Sequence, residues 1–161
     1  DKVRARFNAQ LYAPEEMCSY KDTADFFWVT DHGTRGRIDM VVYSFPYVSG
    51  RTFTLDYLVA MRDSVLGEHI QGAFPGSYMT TEKRFTPSYE AISKNGEYCG
   101  VVRGLWEMEG DMMGGPFVSH AHLDEKNQRV VVTETFVYAP NTKKAKLLRR
   151  GEASLYTFCM D

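Results

Sequence analysis

Residues 98–140 read YCGVVRGLWEMEGDMMGGPFVSHAHLDEKNQRVVVTETFVYAP, and this stretch decides the fold. Three runs rich in β-branched and aromatic residues are separated by two clusters of turn formers. YCGVVRGLWEM reads as a strand, the glycines of GDMMGGP permit a tight reversal through positive φ, and GPFVSHAHLD reads as a second strand. Pro116 suits the start of an edge strand, because proline brings no N–H to a ladder. Asp124, Glu125, Lys126 and Asn127 then turn the chain into a third strand, QRVVVTETFVYAP. Asn141 or Thr142 follows as the cap of a helix through KKAKLLRRGEASLYTF. The unit is three antiparallel strands and a helix.

The same order is expected upstream. Val3, Ala5, Phe7, Ala9 and Leu11 alternate with Arg4, Arg6, Asn8, Gln10 and Tyr12, the pattern of a half-buried strand. DFFWVTD and RIDMVVYSF flank a glycine-bearing turn at residues 32–36 and read as a hairpin. In TFTLDYLVAMRDSVLGEHI, the residues Leu55, Leu58, Val59, Val65 and Leu66 form one stripe of an amphipathic helix. Thr52 or Thr54 can cap it, Asp56 suits its first turn, and Gly67 offers a stop. The repeated order predicts a single α+β domain over residues 1–161. Internally duplicated β-β-β-α halves, about 1–75 and 98–161, would form one mainly antiparallel sheet with two helices packed on one face. The linker, residues 76–97, would hold a short strand at SYMTT. Leu58, Val65, Leu148 and Leu155 are expected to be buried against Phe7, Trp106 and Phe117. Strand parity sets Trp106 with Val102, Gly104 and Met108, as a core residue.

Composition narrows the function. The chain has 161 residues, 43% hydrophobic and 25% charged, enough to bury a core without a metal or disulfide staple. A net charge of −2 excludes the basic field of a general nucleic-acid binder. No apolar run reaches the roughly 20 residues that span a bilayer. The opening DKVRARFNAQ is neither a start methionine nor a signal peptide and reads as a processed beginning. The three cysteines, Cys18, Cys99 and Cys159, lack metal-site or disulfide-framework spacing and are expected to be buried thiols.

RGLWEMEGDMMGGPFVSH, the segment LDEKNQRVVVTETFVYAPNTKKAKLLRRGEASLYT, and VVYSFPYVSGRTFTLDYLVAMRDSVL with GSYMTTE resemble the DUF4837 family of uncharacterised Bacteroidetes proteins. The likeness covers most of the chain, and the RGLW…GD.MGGPF block carries it most specifically. Members are longer, with a lipoprotein signal and a further amino-terminal region. The resemblance therefore implies a periplasmic or outer-membrane-associated lipoprotein of the cell envelope, held to the membrane only by a lipid anchor outside this chain. It implies no catalytic residue.

The residues offer several chemistries, each with a plainer alternative. His120 and His122, two apart on a strand, share a face and could bind a transition metal with Asp124 or Asp111. Ser119 and Leu123 beside them are not ligands, and a solvated pair is the simpler reading, so no metal or other cofactor is expected. Ser119 and His120 point in opposite directions, and no GxSxG elbow exists, which argues against a nucleophilic serine. Glu107, Glu109 and Asp111 supply paired carboxylates as a glycosidase requires, or a solubilising strand edge. GDMMGGP lacks the lysine of a phosphate-binding loop. Lys143, Lys144, Lys146, Arg149 and Arg150 form a solvated helix face, with binding to acidic lipid or polymer as the alternative. Met61, Met108, Met112 and Met113 read as gap-filling core or turn residues.

If both helices cover one face, the other is wet and carries Arg4, Arg6, Asn8, Gln10, Tyr12, Arg103, Glu107, His120, His122 and Thr133. Arg4, Arg6, Tyr12, Arg103, Glu107, His120 and His122 are the ligand-binding candidates, suited to a polar or anionic envelope component or protein partner. The expected function is a non-enzymatic binding or assembly module with no catalytic residue. A hydrolase acting on an envelope polymer through the acidic and histidine residues near 107–122 is the alternative.

Overall fold

β-branched and aromatic residues concentrate where strands form, and in the computed structural model they build an eight-stranded antiparallel sheet. The structure describes residues 2–31, 33, 36–140 and 142–161, with all side chains of these except those of residues 19 and 20. In chain order, α1 is Lys2–Phe7, β1 Ala9–Gln10, β2 Cys18–Asp22, β3 Phe26–Thr30 and β4 Arg37–Pro46. A 3-10 turn at Gly50–Phe53 leads into α2, Leu55–His69. There follow β5 Tyr78–Thr81, β6 Ser88–Lys94, β7 Glu97–Glu109, β8 Gly114–Asp124, β9 Arg129–Tyr138, α3 Ala145–Leu155 and β10 Cys159–Met160. The sheet order is β2-β3-β4-β9-β8-β7-β5, with β6 also on β7, while β1 and β10 pair separately.

The centre of the sheet is β4 against β9, from Arg37 opposite Tyr138 to Pro46 opposite Arg129. Both strands are buried along almost their whole length, so both faces of the sheet need a cover. One face packs on α2, whose Leu58, Val59 and Leu66 share a core with Val130, Val132, Trp106 and Phe136. On the other face, Val3 and Phe7 of α1 meet Val131 and Phe158, and Leu155 of α3 meets Val101 and Val118. Gly151 lets α3 approach the sheet closely, since a Cβ there would lie 2.1 Å from Thr135 Oγ1. The layers are helix, sheet, helices.

This corrects the expectation of two helices on one face. The run Val130-Val131-Val132 and the pair Val41-Val42 are apolar on both parities, a pattern that requires a cover on each side. The meander-then-helix order does occur twice, as β2-β3-β4-α2 and β7-β8-β9-α3. However, a rotation carrying β4 onto its antiparallel neighbour β9 keeps the faces of the sheet, and would leave both helices on one side. They lie on opposite sides, so an internal duplication is not shown.

Several local expectations also change. Residues 2–7 are helical, not extended: Val3 and Phe7 are one helical turn apart and both buried, so their spacing suits a helix as well as a strand. Only Ala9–Gln10 is extended, against β10. The helix α2 is capped by Thr54, whose Oγ1 accepts the Tyr57 N–H at 3.4 Å, and it runs through Gly67 to His69. For α3 the N-cap is Lys144 without a side-chain hydrogen bond; Thr142 precedes it, and Asn141 lies outside the described residues. Residues 32, 34 and 35 of the β3–β4 turn also lie outside them. Pro116 sits inside β8, an interior strand, but ahead of the first residue paired with β9, where its missing N–H costs nothing.

Trp106 is in the core, as parity predicts: its Nε1–H donates to the Val137 carbonyl at 3.0 Å and its ring lies edge-on to Phe136. Leu155 is fully buried and Leu58 nearly so; Val65 and Leu148 are half-buried. The core also holds an ion pair. Arg62 of α2 donates from Nε and Nη2 to Glu134 at 2.7 and 3.0 Å, and from Nη1 to Thr81 Oγ1 at 2.8 Å. Its guanidinium lies 3.9 Å from the centre of the Phe117 ring.

Candidate functional site

The wet face expected opposite α2 does not exist, because α1, α3 and the carboxy-terminal segment cover it. His120, His122 and Thr133, placed on that face by parity, are buried. The seven binding candidates consequently separate into five settings. Arg4 and Arg6 are on α1, where Arg4 Nε donates to Asp161 at 2.8 Å and Arg6 Nε to Asp22 at 3.2 Å. Tyr12 is 69% exposed on the loop after β1. Arg103 is held by Glu152 of α3, with Nη1 donating at 3.2 Å. Glu107 is half-buried at the far end of β7.

The two histidines face α3 and the segment after it. His120 lies edge-on to the Tyr156 ring at 4.9 Å, and His122 lies 4.4 Å from Phe158. His122 Nδ1 is 3.2 Å from the Val131 carbonyl and Nε2 is 3.1 Å from Lys94 Nζ. A carbonyl can only accept, so Nδ1 carries the proton and Nε2 offers a lone pair. Burial first, and then the Lys94 charge, drive both imidazoles down to about 3. They are therefore neutral and add no positive charge for an anionic partner. Neither Asp111 nor Asp124 joins them: Asp111 sits in the β7–β8 turn, and Asp124 is bound to Asn127 and Arg129. Cys99 does, opposite His122 in the β7–β8 register. One donor atom from each of Cys99, His120 and His122 lies within 4.8 Å of the others. These three residues could hold a metal. Cys18 and Cys159 are exposed, against expectation.

Glu107 and Asp111, but not Glu109, line an open groove of about 670 Å³ between Glu82–Phe85 and the β7–β8 turn. Arg84 donates to both Glu82 oxygens, at 3.0 and 2.9 Å, and these bonds hold that carboxyl down at about 2. Glu107 shares a hydrogen bond with Glu82, which pushes its own carboxyl up. The glycines of the turn divide by role. Gly110 has φ +84°, whereas Gly115 is small because a Cβ would lie 2.0 Å from the Val137 carbonyl. Met112 is fully exposed, not a packing residue.

A hollow of about 360 Å³ opens where α1 and the following loop leave the sheet incompletely covered. Phe27, Val29, Met40 and Val42 form its floor, and Val3, Leu11 and Met17 its walls; Lys2, Arg4, Gln10 and Tyr12 stand at its rim. It unites two of the sequence candidates, Arg4 and Tyr12, over an apolar floor.

The family model described as "Domain of unknown function (DUF4837)" matches residues 1–157. The chain belongs to the DUF4837 family. No curated protein matches this DUF4837 chain in sequence. Among solved structures, a variant of protein Mog1 superposes with a TM-score of 0.52 at 8% identity, over 95% of this chain and 90% of that one. That likeness concerns the fold alone. A protein from Bacteroides thetaiotaomicron VPI-5482 aligns with a TM-score of 0.47 at 10% identity over 96% of this chain. The DUF4837 chain spans only 45% of that protein's length. Among the described residues no helix is long and apolar enough to cross a membrane.

Proposed function

We propose that this chain is a non-enzymatic binding module of the cell envelope, and that it takes an apolar group with a hydrogen-bonding end into the hollow beneath α1. The envelope location rests on the family resemblance. The observation that carries the binding reading is the apolar floor of Phe27, Val29, Met40 and Val42 under a polar rim. At about 360 Å³ the hollow falls within the roughly 300–1,000 Å³ of small-ligand sites, which are largely apolar with a few polar groups that orient the guest. Arg4 already holds Asp161 and Lys2 lies 3.8 Å from Asp22, so the rim is close to neutral and favours a hydrogen-bond acceptor over a strong anion. The hydrolase alternative is less favoured, because Glu82 is saturated by Arg84 and the two histidines are covered.

The test is titration with a dansyl-labelled undecanoate, displaced by decanol and by decanoate. Saturable binding at one site per chain, with chemical-shift changes confined to β3, β4 and residues 2–17, supports the reading. Met17→Trp, which fills the hollow from its wall, should abolish binding while leaving the circular dichroism unchanged. Binding that survives Met17→Trp, or shifts confined to residues 82–85 and 105–116, refutes it.

A further inference from the structure

The cluster beneath the carboxy-terminal segment has the composition of a metal centre. Cys99 and His122 are directly opposed on neighbouring strands, and His120 follows two residues from His122 on the same face. All three are buried, and the donor atoms converge to within 4.8 Å. Ligands bound to one ion stand about 3.3–3.8 Å apart, given bond lengths near 2.0–2.3 Å, so modest side-chain rotations would close the trio. Two further observations point to a ligand. Among the described residues, none hydrogen-bonds to either buried ring nitrogen of His120, a state that proteins seldom leave uncompensated. His122 gives its Nδ1–H to the Val131 carbonyl, the outer contact that fixes a metal-binding imidazole with Nε2 turned inward.

We propose that Cys99, His120 and His122 bind one soft monovalent cation, copper(I), in a three-coordinate site closed by Tyr156 and Phe158. One thiolate and two neutral imidazoles are soft to borderline donors, with no carboxylate to favour a hard ion. The charge count selects the monocation. A thiolate with copper(I) leaves the site neutral, whereas zinc(II) leaves a net positive charge beside Lys94 and near Arg103. Lys94 gives up His122 Nε2 to the ion and keeps the Leu155 carbonyl, to which Nζ donates at 2.7 Å. Burial holds the Cys99 thiol up at about 11, so as the sulfur–copper bond forms one proton passes from the thiol to solvent. The imidazoles lose none, and no electron is transferred.

The site is tested on the whole chain carrying Cys18→Ser and Cys159→Ser, which removes the exposed thiols. Anaerobic titration with copper(I) against bathocuproine disulfonate should show one ion per chain, and zinc(II) should not displace it. X-ray absorption should report one sulfur and two imidazole nitrogens. Cys99→Ser and His120→Phe should each weaken retention at least about tenfold. His120→Phe replaces a ring without hydrogen bonds by one of similar shape, so its circular dichroism should match the parent and the loss cannot be ascribed to unfolding. Lys94→Met should tighten binding by removing the nearby cation. No retained copper(I), displacement by zinc(II), a different ligand set, or unchanged retention in folded His120→Phe would overturn the proposal.

Discussion

Removing Arg62 should unbalance the sheet more than removing any surface charge. The guanidinium lies between α2 and the sheet, 1% exposed, and its partner Glu134 is 0% exposed. Arg62→Met keeps much of the side-chain length over Phe117 but leaves Glu134 buried without its cation, and leaves Thr81 Oγ1 without the Nη1 donor. Removing one partner of such a pair costs about 3–5 kcal/mol, a large share of the roughly 5–15 kcal/mol of a whole domain. Burial already pushes the Glu134 carboxyl up against the opposing pull of Arg62. The double variant Arg62→Met/Glu134→Leu removes both charges and should return to within about 1 kcal/mol of the parent, because the ion pair's own desolvation cost disappears as well. Urea unfolding followed by tryptophan fluorescence gives both values, provided the dependence on urea is unchanged so that midpoints compare directly. A single variant that loses less than about 1 kcal/mol, or a double variant as unstable as the single, would refute this account.

Trp106→Ala should cost about 3–5 kcal/mol and Trp106→Phe less, since the phenyl ring retains the contact with Phe136 but not the bond to Val137; equilibrium unfolding separates the two. For the buried histidines the pH dependence follows from their depressed values. The unfolded chain takes up protons near 6.5 and the folded chain only near 3, so stability is full above pH 6.5 and is lost as pH falls toward 3. By pH 5 each histidine should cost about 2 kcal/mol, and His120→Phe should flatten roughly half of that decline in urea midpoints measured from pH 7.5 to 4.5. Gly151→Ala should lift α3 from Thr135 and lower stability by about 1–3 kcal/mol, readable as faster amide exchange in α3 than in α2. Equal exchange in both helices would count against that.

Much of this was legible in the chain. The meander β7-β8-β9, the β3–β4 hairpin, α2, α3 and the short strand at Tyr78–Thr81 all follow from periodicity and turn chemistry. The layer count did not, although Val130-Val131-Val132 carried the signal that neither face was solvated. α1 was hidden because Val3 and Phe7 satisfy a period of two and a turn of helix equally. β6 was missed because its side chains are largely exposed and show no apolar alternation. At the sites, Arg62 gave a readable hint: it lies four residues after Leu58 and four before Leu66, on the apolar stripe of α2, where a cation needs a buried acid. Cys99 was also within reach, since a reversal centred near Gly110 and Asp111 sets it opposite His122. Glu82 and Arg84 had no such signal, because their meeting with Glu107 depends on where a turn-rich connection returns to the edge of β7.

The β4–β9 seam bears on how the molecule is made. Its partners are about 90 residues apart in the chain, so the centre of the sheet is also its most distant pairing. While the polypeptide emerges from the ribosome, β2-β3-β4 can form early but waits with the apolar edge of β4 open until β9 has been synthesised. That edge, with Val41 and Val42 beside Ile38 and Met40, is a template for unwanted strand addition during the interval. A chaperone that binds extended apolar segments would find its target there on the nascent chain and lose it at the moment the seam closes.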